Sequence, residues 1–454
     1  MGIVGKTAAE IFDSIRTLTQ TGALTPGQEL PTVRDLAATL SVNRNTVSMA
    51  YKRLVTAGVA VTQGRLGTVI REQPGPGEQE GSLPGSPLVD LGGGNPNPVW
   101  LPDMGAALAR KPYRPRLYGE ATVAPELEAS ARQWLTGDCP DRFEINLTNG
   151  AVDAVERLLG AYLVAGDKVA VEDPCFVSNI NTLRIAGLQT VGVAVDAHGM
   201  LAEALEQALA QGVQAVIVTP RAHNPTGCSL SAARARKLRA VLAHYPHVLV
   251  IADDHFSLLA VTDYFDVIPP MAQRWALIRS VSKMLGPDLR LAFVASDEQT
   301  SQRLRLRLAP GTNWVSHLLQ DVVSACLSSP EVSAQIVQAR ADYARRRDSL
   351  TMALARQGIS VTTPAEGLNL WLPLPANSQA AVLELARHGW LVRGGESFGV
   401  QGQAHGLRIT VSSIDEAGAE AFARVLGHVL GQGYGMSSCS KASRVAAHST
   451  KFIQ

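Results

Sequence analysis

The chain has 454 residues, of which 46% are hydrophobic and 18% are charged, and its net charge is +1. These values are typical of globular proteins, and at roughly 150 residues per domain the length predicts about three domains. There is no run of 18 apolar residues and no N-terminal signal pattern, so we expect a cytoplasmic protein without membrane contact. The five cysteines are scattered, which argues against disulfides and against a metal site.

The beginning of the chain is more basic than the rest. Residues 1–71 contain eight Lys or Arg against four acidic residues, a net +4. Helical spacing of apolar residues over 8–19 predicts a first helix. Thr32, with Asp35 three positions later, forms a capping-box pattern that predicts a second helix. Asn43 can cap a third helix. Its apolar stripe consists of Val47, Ala50, Tyr51 and Leu54.

Two short helices with a tight turn between them, the second with a polar and basic outer face, indicate a helix-turn-helix whose second helix reads the major groove. Residues 59–70 (VAVTQGRLGTVI) then predict a β-hairpin wing with Arg65 at its glycine-flanked tip. The alternative is a small helical domain with a solvated basic face.

Residues 8–70 resemble the winged helix-turn-helix of the GntR family of bacterial transcription regulators. The match is carried by GALTPGQELPTVRDLAATLSVNRNTVSMAYKRLVTAG and by GRLGTVI. The resemblance implies binding to double-stranded operator DNA. The implied contacts are Arg34, Arg44, Thr46 and Arg65, with Asn45, Ser48 and Lys52 as weaker candidates.

Composition divides the remainder of the chain. Residues 72–89 are rich in Pro, Gly, Glu and Ser, which predicts a flexible linker between residues 1–71 and residues 90–433. In 90–433, apolar runs at 168–171, 213–218, 248–252, 275–278 and 291–295 alternate with helical stretches. This alternation predicts an α/β domain with a mostly parallel sheet, whose ligands bind at the carboxyl ends of the strands. Residues 434–454 are small and polar, and we expect them to be disordered.

Residues with suitable chemistry cluster at those strand ends. Lys283 lies in SVSKMLGPDLR, between two apolar runs, and a desolvated lysine can form a Schiff base with an aldehyde. Asp253 and Asn224 end or follow other runs, Phe176 could stack on a flat ring, and residues 149–151 open a helix that can bind phosphate. Each signal alone has a plain alternative: a surface lysine, a solvated acidic pair, a turn or a core aromatic. Together they supply the groups that pyridoxal 5'-phosphate needs.

The region 90–433 is similar to the fold-type I aminotransferases. The resemblance implies that Lys283 forms the Schiff base, Asp253 pairs with the pyridine nitrogen, Asn224 bonds the ring hydroxyl and Phe176 stacks on the ring. It also implies a carboxylate-binding Arg408, and a Tyr118 lent across a homodimer. The implied phosphate ligands are Asn149, Gly150, Ala151, Ser280, Ser282 and Arg290.

A GntR-type reader joined to an aminotransferase-like domain is the arrangement of the MocR subfamily, and the chain resembles its PtsJ-type members, which are tied to vitamin B6 metabolism. The chain departs from the family at three positions: His255 replaces a frequent tyrosine near the ring oxygen of the cofactor, whereas in the substrate-side loop Val123 replaces a usual glycine and Glu128 a usual arginine. We therefore expect a regulator that senses pyridoxal phosphate or an adduct of it, with at most residual aminotransferase activity. The alternatives are a working aminotransferase with an accessory DNA-binding domain, and a binding module without cofactor.

Overall fold

The computed structural model describes residues 2–62, 67–71, 79–82, 85–111, 114–402 and 404–433. Their contacts divide the chain into two compact units. The first consists of the described residues within 1–77 together with 163–167 and 183–189, and the second contains the other described residues.

Residues 2–62 and 67–71, which the structure describes in the first unit, form three helices and a two-stranded hairpin. The elements are α1 (Ala8–Gln20), α2 (Val33–Leu40), α3 (Arg44–Thr56), β1 (Ala60–Thr62) and β2 (Thr68–Ile70). Thr32 accepts a hydrogen bond from the Asp35 N–H, and Asn43 accepts one from the Asn45 N–H, so both predicted N-caps are formed. The predicted stripe of α3 is buried against α1 and α2. The strands pair antiparallel as expected for a wing.

The second unit is built on an eight-stranded sheet in the order β4-β11-β10-β9-β8-β5-β6-β7. Its strands are β4 (Glu144–Thr148), β5 (Lys168–Asp173), β6 (Gln189–Asp196), β7 (Gly199–Met200), β8 (Ala215–Val218), β9 (Leu249–Asp253), β10 (Trp275–Ser280) and β11 (Ala292–Ser296). The strands β5, β8, β9 and β10 are parallel, whereas β11 is antiparallel to β10 and β4. All five predicted apolar runs contribute strands of this sheet.

Helices accompany these strands. They are α4 (Met104–Ala109), α5 (Pro125–Leu135), α6 (Ala151–Tyr162), α7 (Val177–Ile185), α8 (Ala202–Ala210), α9 (Ala232–Ala243), α10 (Glu298–Leu308) and α11 (His317–Leu327). The strands of the sheet centre are buried along nearly their whole length, as an α/β sheet covered on both faces requires. Together with the resemblance to known folds reported below, this confirms the predicted α/β class.

The C-terminal part of this unit has its own small sheet and core. A long helix, α12 (Pro330–Arg356), precedes β12 (Asn369–Pro373), α13 (Gln379–Arg387), β13 (Trp390–Leu391), β14 (Arg393–Gly394), β15 (Gly406–Thr410) and α14 (Glu416–Gly433). The sheet order is β12-β15-β14, which places β15 in the centre. In addition, β13 pairs in parallel with the short strand β3 (Val89–Asp90), which begins at the last residue of the predicted linker.

Candidate functional site

The outer face of α3 presents the side chains that the sequence assigned to DNA. Arg44, Asn45 and Lys52 are exposed, and Thr46 and Ser48 are partly exposed. Arg34 is exposed on α2, 3.8 Å from the Asp35 carboxylate. Arg65 lies outside the described residues. Because α3 is fixed from beneath by its buried stripe, these side chains stand on a rigid element.

A cavity of about 280 Å³ lies at the carboxyl ends of the central strands of the large sheet. Many of the predicted side chains line it: Ala151, Phe176, Asn224, Asp253, His255, Ser280, Ser282, Lys283 and Arg290. The strands explain this convergence, since Asp253 ends β9 and Ser280 ends β10. These two strands are parallel neighbours, so their ends reach the same edge of the sheet.

Lys283 places its amine in this cavity. Its Nζ donates a hydrogen bond to the Gly94 carbonyl at 2.6 Å. Burial lowers the pKa of Lys283; the Glu80 carboxylate opposes this shift and Arg408 adds to it. A lowered pKa increases the fraction of free amine at neutral pH, and the free amine is the form that attacks an aldehyde.

Asp253 faces the cavity with an unused acceptor. Among the described residues, its Oδ1 is buried without a hydrogen-bond partner. Burial, together with the neighbouring Asp254, raises the pKa of Asp253 to about 7. The Asp254 carboxylate, in contrast, accepts hydrogen bonds from Arg221 and Arg279. A buried carboxyl without a partner is costly, and a cationic ring N–H would satisfy it.

Another group of residues at the cavity is suited to a phosphate. The hydroxyl of Ser280 donates to that of Ser282 at 3.0 Å, and Arg290 donates to the Asn149 carbonyl at 3.0 Å. Gly150 has a φ of +94°, and a Cβ at this position would lie 2.9 Å from the Arg290 guanidinium. Asn149 and Gly150 therefore do not line the cavity. Instead, just before α6 begins, the Asn149 carbonyl binds the Arg290 guanidinium and Gly150 leaves room for it.

Arg408 lies on β15 and is fully buried. Its guanidinium donates to the Asn224 Oδ1 at 3.0 Å, to the Gly92 carbonyl at 2.5 Å and to the Glu80 Oε1 at 2.6 Å. Asn224 in turn donates from Nδ2 to the same Glu80 oxygen at 3.1 Å. Glu80 is therefore a cavity residue, although it belongs to the predicted flexible linker.

The remaining predicted positions are Tyr118, His255, Val123 and Glu128, and of these only His255 is among the cavity residues. Tyr118 is 92% exposed and packs edge-on against Trp314, away from the cavity of its own chain. His255 lines the cavity, and burial and the Lys283 charge lower its pKa to about 4, so it is neutral near pH 7. Val123 is buried, and Glu128 pairs with Arg132 at 3.2 Å.

The sequence reading missed several residues at the site. The additional lining residues are Glu80, Asn95, Val152, Ser178, Thr219 and Pro287. Behind the cavity, Glu172 accepts hydrogen bonds from the Thr219 N–H at 2.8 Å and the Thr219 hydroxyl at 3.0 Å, and lies 3.5 Å from the His223 Nε2. Glu172 and Thr219 both follow or end apolar runs, and this placement was the available signal.

Glu172 leads to a pH-dependent prediction. Burial raises its pKa to about 8, against the hydrogen bonds from Thr219 and with a contribution from Asp253. The folded state therefore retains a proton that the unfolded state loses above pH ~4.5, so this group lowers the free energy of unfolding as pH rises towards about 8. Burial also lowers the pKa of the adjacent His223 to about 3, so His223 adds no charge in this window.

Glu172→Gln keeps an acceptor for the Thr219 N–H but cannot ionise. Both proteins are compared without cofactor. From about pH 5 to about pH 8, we expect the free energy of unfolding of the variant to increase relative to that of the unsubstituted protein by on the order of a few kcal/mol. Urea unfolding at both pH values measures this, with exposed Glu298→Gln as the control. A stability difference that stays constant with pH would contradict the assignment.

Within the part of the chain that the structure describes, no helix is long and apolar enough to cross a membrane. The same residues contain no cluster of His, Cys, Asp or Glu that could hold a metal ion. The four cysteines in these ranges, Cys139, Cys175, Cys228 and Cys326, are buried and free.

Comparison with known proteins agrees with both sites, the outer face of α3 and the cavity at the strand ends of the large sheet. Residues 7–70 match the bacterial regulatory proteins of the gntR family, and residues 90–426 match aminotransferase class I and II. The chain is 56% identical over 415 residues to the vitamin B6 salvage pathway transcriptional repressor PtsJ of Salmonella typhimurium, covering 91% of this chain and 96% of that protein. It is 28% identical over 357 residues to the pyridoxine biosynthesis regulator PdxR of Corynebacterium glutamicum, covering 74% and 76%.

Solved structures show the fold of the larger unit. The kynurenine aminotransferase of Pyrococcus horikoshii superposes with a TM-score of 0.69 at 22% identity, covering 77% of this chain and 92% of that one. The matched families, their order along the chain and the near full-length similarity to PtsJ lead to one conclusion: the chain belongs to the MocR subfamily of GntR-type transcription regulators, in which a helix-turn-helix domain is fused to an aminotransferase-like domain.

Proposed function

We propose that the protein senses pyridoxal 5'-phosphate through Lys283 and, as a cytoplasmic homodimer, represses genes of vitamin B6 salvage. The observation that carries this proposal is the cavity at the strand ends, which combines a buried amine, a buried carboxyl without a partner, and serine and arginine donors. The PtsJ protein, with 56% identity, is a repressor of that pathway by name, and that similarity supports transferring the role to this chain.

The residues present fit this cofactor by their chemistry. The Asp253 Oδ1 would accept the proton of the pyridine nitrogen, and Phe176 would cover the ring. Ser280, Ser282 and Arg290 would hold the phosphate at the beginning of α6, where backbone N–H groups and the helix dipole favour an anion. When bound, the cofactor supplies an aldehyde, and the chain supplies the amine of Lys283.

On the DNA side, the main contacts would be made by Arg34, Arg44, Thr46 and Arg65, with Asn45, Ser48 and Lys52 in support. A dimer would present two such faces to two half-sites, and Tyr118 would reach the cavity of the partner subunit. Its side chain is 92% exposed in one chain, which supports such a role because tyrosine side chains are usually more buried.

The experiment for this function is a gel-shift titration. DNA from the promoter of the protein's own gene and from that of the neighbouring gene is compared with an unrelated promoter of equal length, at one stated salt concentration. We expect at least one of the two to bind about 10³-fold more tightly than the unrelated fragment, as specific operators do. Equal affinity for all three fragments would contradict the proposal that the protein regulates its own locus.

A second candidate is a working aminotransferase. In its favour, Lys283 and Asp253 line the same cavity, and the buried Arg408 donates to the cavity residue Asn224. Against it, the carboxylate-binding arginine already holds Glu80. A transamination assay with ordinary turnover of an amino acid and a keto acid would establish this second function.

A further inference from the structure

Glu80 places a carboxylate of the chain itself inside the cofactor cavity. Its Oε1 accepts hydrogen bonds from Arg408 and Asn224, and its side chain is 21% exposed. Burial raises the pKa of Glu80, but the charges of Arg408, Lys283 and Arg393 outweigh burial and hold the pKa below its ordinary value. Glu80 is therefore an anion at neutral pH, bound to a buried cation.

The backbone around Glu80 is held as well. Arg393 donates to the carbonyls of Gln79 at 2.6 Å and Gly81 at 3.2 Å, and the Gly81 N–H donates to the Gly93 carbonyl at 2.9 Å. This contact network positions the carboxylate from outside the cavity. The proline- and glycine-rich composition of the predicted linker did not indicate these contacts.

Gly94 leaves room for the contact. It has a φ of +66°, which favours glycine, and a Cβ there would lie 2.6 Å from the Glu80 Oε2 and 3.1 Å from the Arg408 Nη2. Any larger residue would obstruct the space in which the carboxylate and the guanidinium meet. The backbone is thus shaped to admit a carboxylate, and that carboxylate is Glu80.

The partners of Arg408 decide what else can bind. Its guanidinium is fully buried and already donates to Glu80, Asn224 and Gly92. A ligand carboxylate at the same guanidinium would approach the Glu80 anion in a low-dielectric site, where repulsion between like charges is strong. Such a ligand can use Arg408 only after Glu80 has left.

We propose that Glu80 is the specificity-determining residue of the cavity: it occupies the carboxylate subsite at Arg408, so the domain binds the cofactor alone in preference to cofactor adducts that carry an α-carboxylate. A carboxylate-bearing ligand binds by displacing Glu80 and releases residues 79–82. This inference rests on the proposed function, because it assumes that the cofactor occupies the cavity.

The test uses two ligands that differ by one carboxylate. These are the reduced, non-hydrolysable adducts of pyridoxal phosphate with L-alanine and with ethylamine, titrated into the cofactor-free full chain by calorimetry. In the unsubstituted protein we expect the alanine adduct to bind more weakly than the ethylamine adduct, because it must displace Glu80. In Glu80→Ala we expect the alanine adduct to gain about 10- to 100-fold over the ethylamine adduct, since a hydrogen-bonded charge pair becomes available to it.

Comparison of Glu80→Ala with Glu80→Gln distinguishes the effect of the Glu80 charge from that of its side-chain volume. Glu80→Gln keeps the length and the acceptor but removes the charge, so its preference should lie between those of the other two proteins. The matched control is Glu203→Ala, an exposed glutamate paired with Lys237, which should leave the ratio unchanged. If Glu80→Ala has the same affinity ratio as the unsubstituted protein, Glu80 does not guard the subsite. Failure of both adducts to bind any of the proteins would instead reject the cofactor site, and the Glu80 inference with it.

Hydrogen exchange measures the displacement directly. The Gly81 amide is bonded to Gly93, so its exchange in the unsubstituted protein should accelerate with the alanine adduct and not with the ethylamine adduct. Equal exchange with both ligands would show that Glu80 stays in place, which contradicts the proposal.

Discussion

Replacing Lys283 by alanine is expected to abolish covalent capture of pyridoxal phosphate. Among the described residues that line the cavity, Lys283 is the only lysine, and its buried amine has a lowered pKa that favours attack on the aldehyde. The unsubstituted protein should develop the visible absorbance of a Schiff base. After borohydride reduction it should carry one cofactor per chain, at Lys283. The variant should show neither signal.

The matched control removes a lysine from the surface. Lys237→Ala deletes a side chain that is 65% exposed and pairs with Glu203 at 3.6 Å, and it should capture the cofactor as the unsubstituted protein does. Retention of the absorbance and of the reduced label in Lys283→Ala would show that another amine reacts. The cofactor site would then be wrongly placed.

Replacing Arg44 by alanine is expected to weaken operator binding by about 1–3 kcal/mol, which is roughly 5- to 150-fold. Arg44 is the first residue of α3 and is exposed, and the N-terminal residues of a recognition helix are those that contact base edges. Gel-shift titration at several salt concentrations measures the loss. If Arg44 contacts only phosphate, affinity should fall for all sequences and the salt slope should decrease by about 1.

Arg16→Ala is the matched control for Arg44. It removes the same charge from α1, where Arg16 lies 3.6 Å from Asp13 and is 51% exposed. We expect a much smaller loss of affinity. Equal losses in the two variants would mean that the domain binds through diffuse charge and not through the outer face of α3.

The fold was predictable where local sequence and packing agree. The stripe of α3, the cap at Thr32 and the hairpin strands each have a short-range signal, and the structure forms all of them. The strands β4 and β6 were missed because they lack a continuous apolar run. In β4 the buried Asn146 bonds to Ser301 at 2.7 Å, and in β6 buried and partly exposed residues alternate. The reversed direction of β11 has no local signal at all.

The site was predictable where function requires residues at strand ends. Asp253, Asn224 and Lys283 follow buried runs, and parallel neighbours bring such ends together. Glu80 could not be found in this way. It lies in a polar segment without periodicity, and its partner Arg408 is 328 positions later in the chain. Only the folded structure shows that this charge is buried beside a cation.

Sensing of the cofactor requires that the cofactor cavity and the DNA-binding face are energetically coupled. The most direct measurement is operator affinity with and without saturating pyridoxal phosphate, in the unsubstituted protein and in Lys283→Ala. We predict a change of about 5- to 150-fold in the unsubstituted protein, and the reciprocal experiment should show cofactor affinity changing by the same factor when operator is present. The change should be absent in Lys283→Ala. An operator affinity and footprint unaffected by the cofactor in the unsubstituted protein would contradict the account.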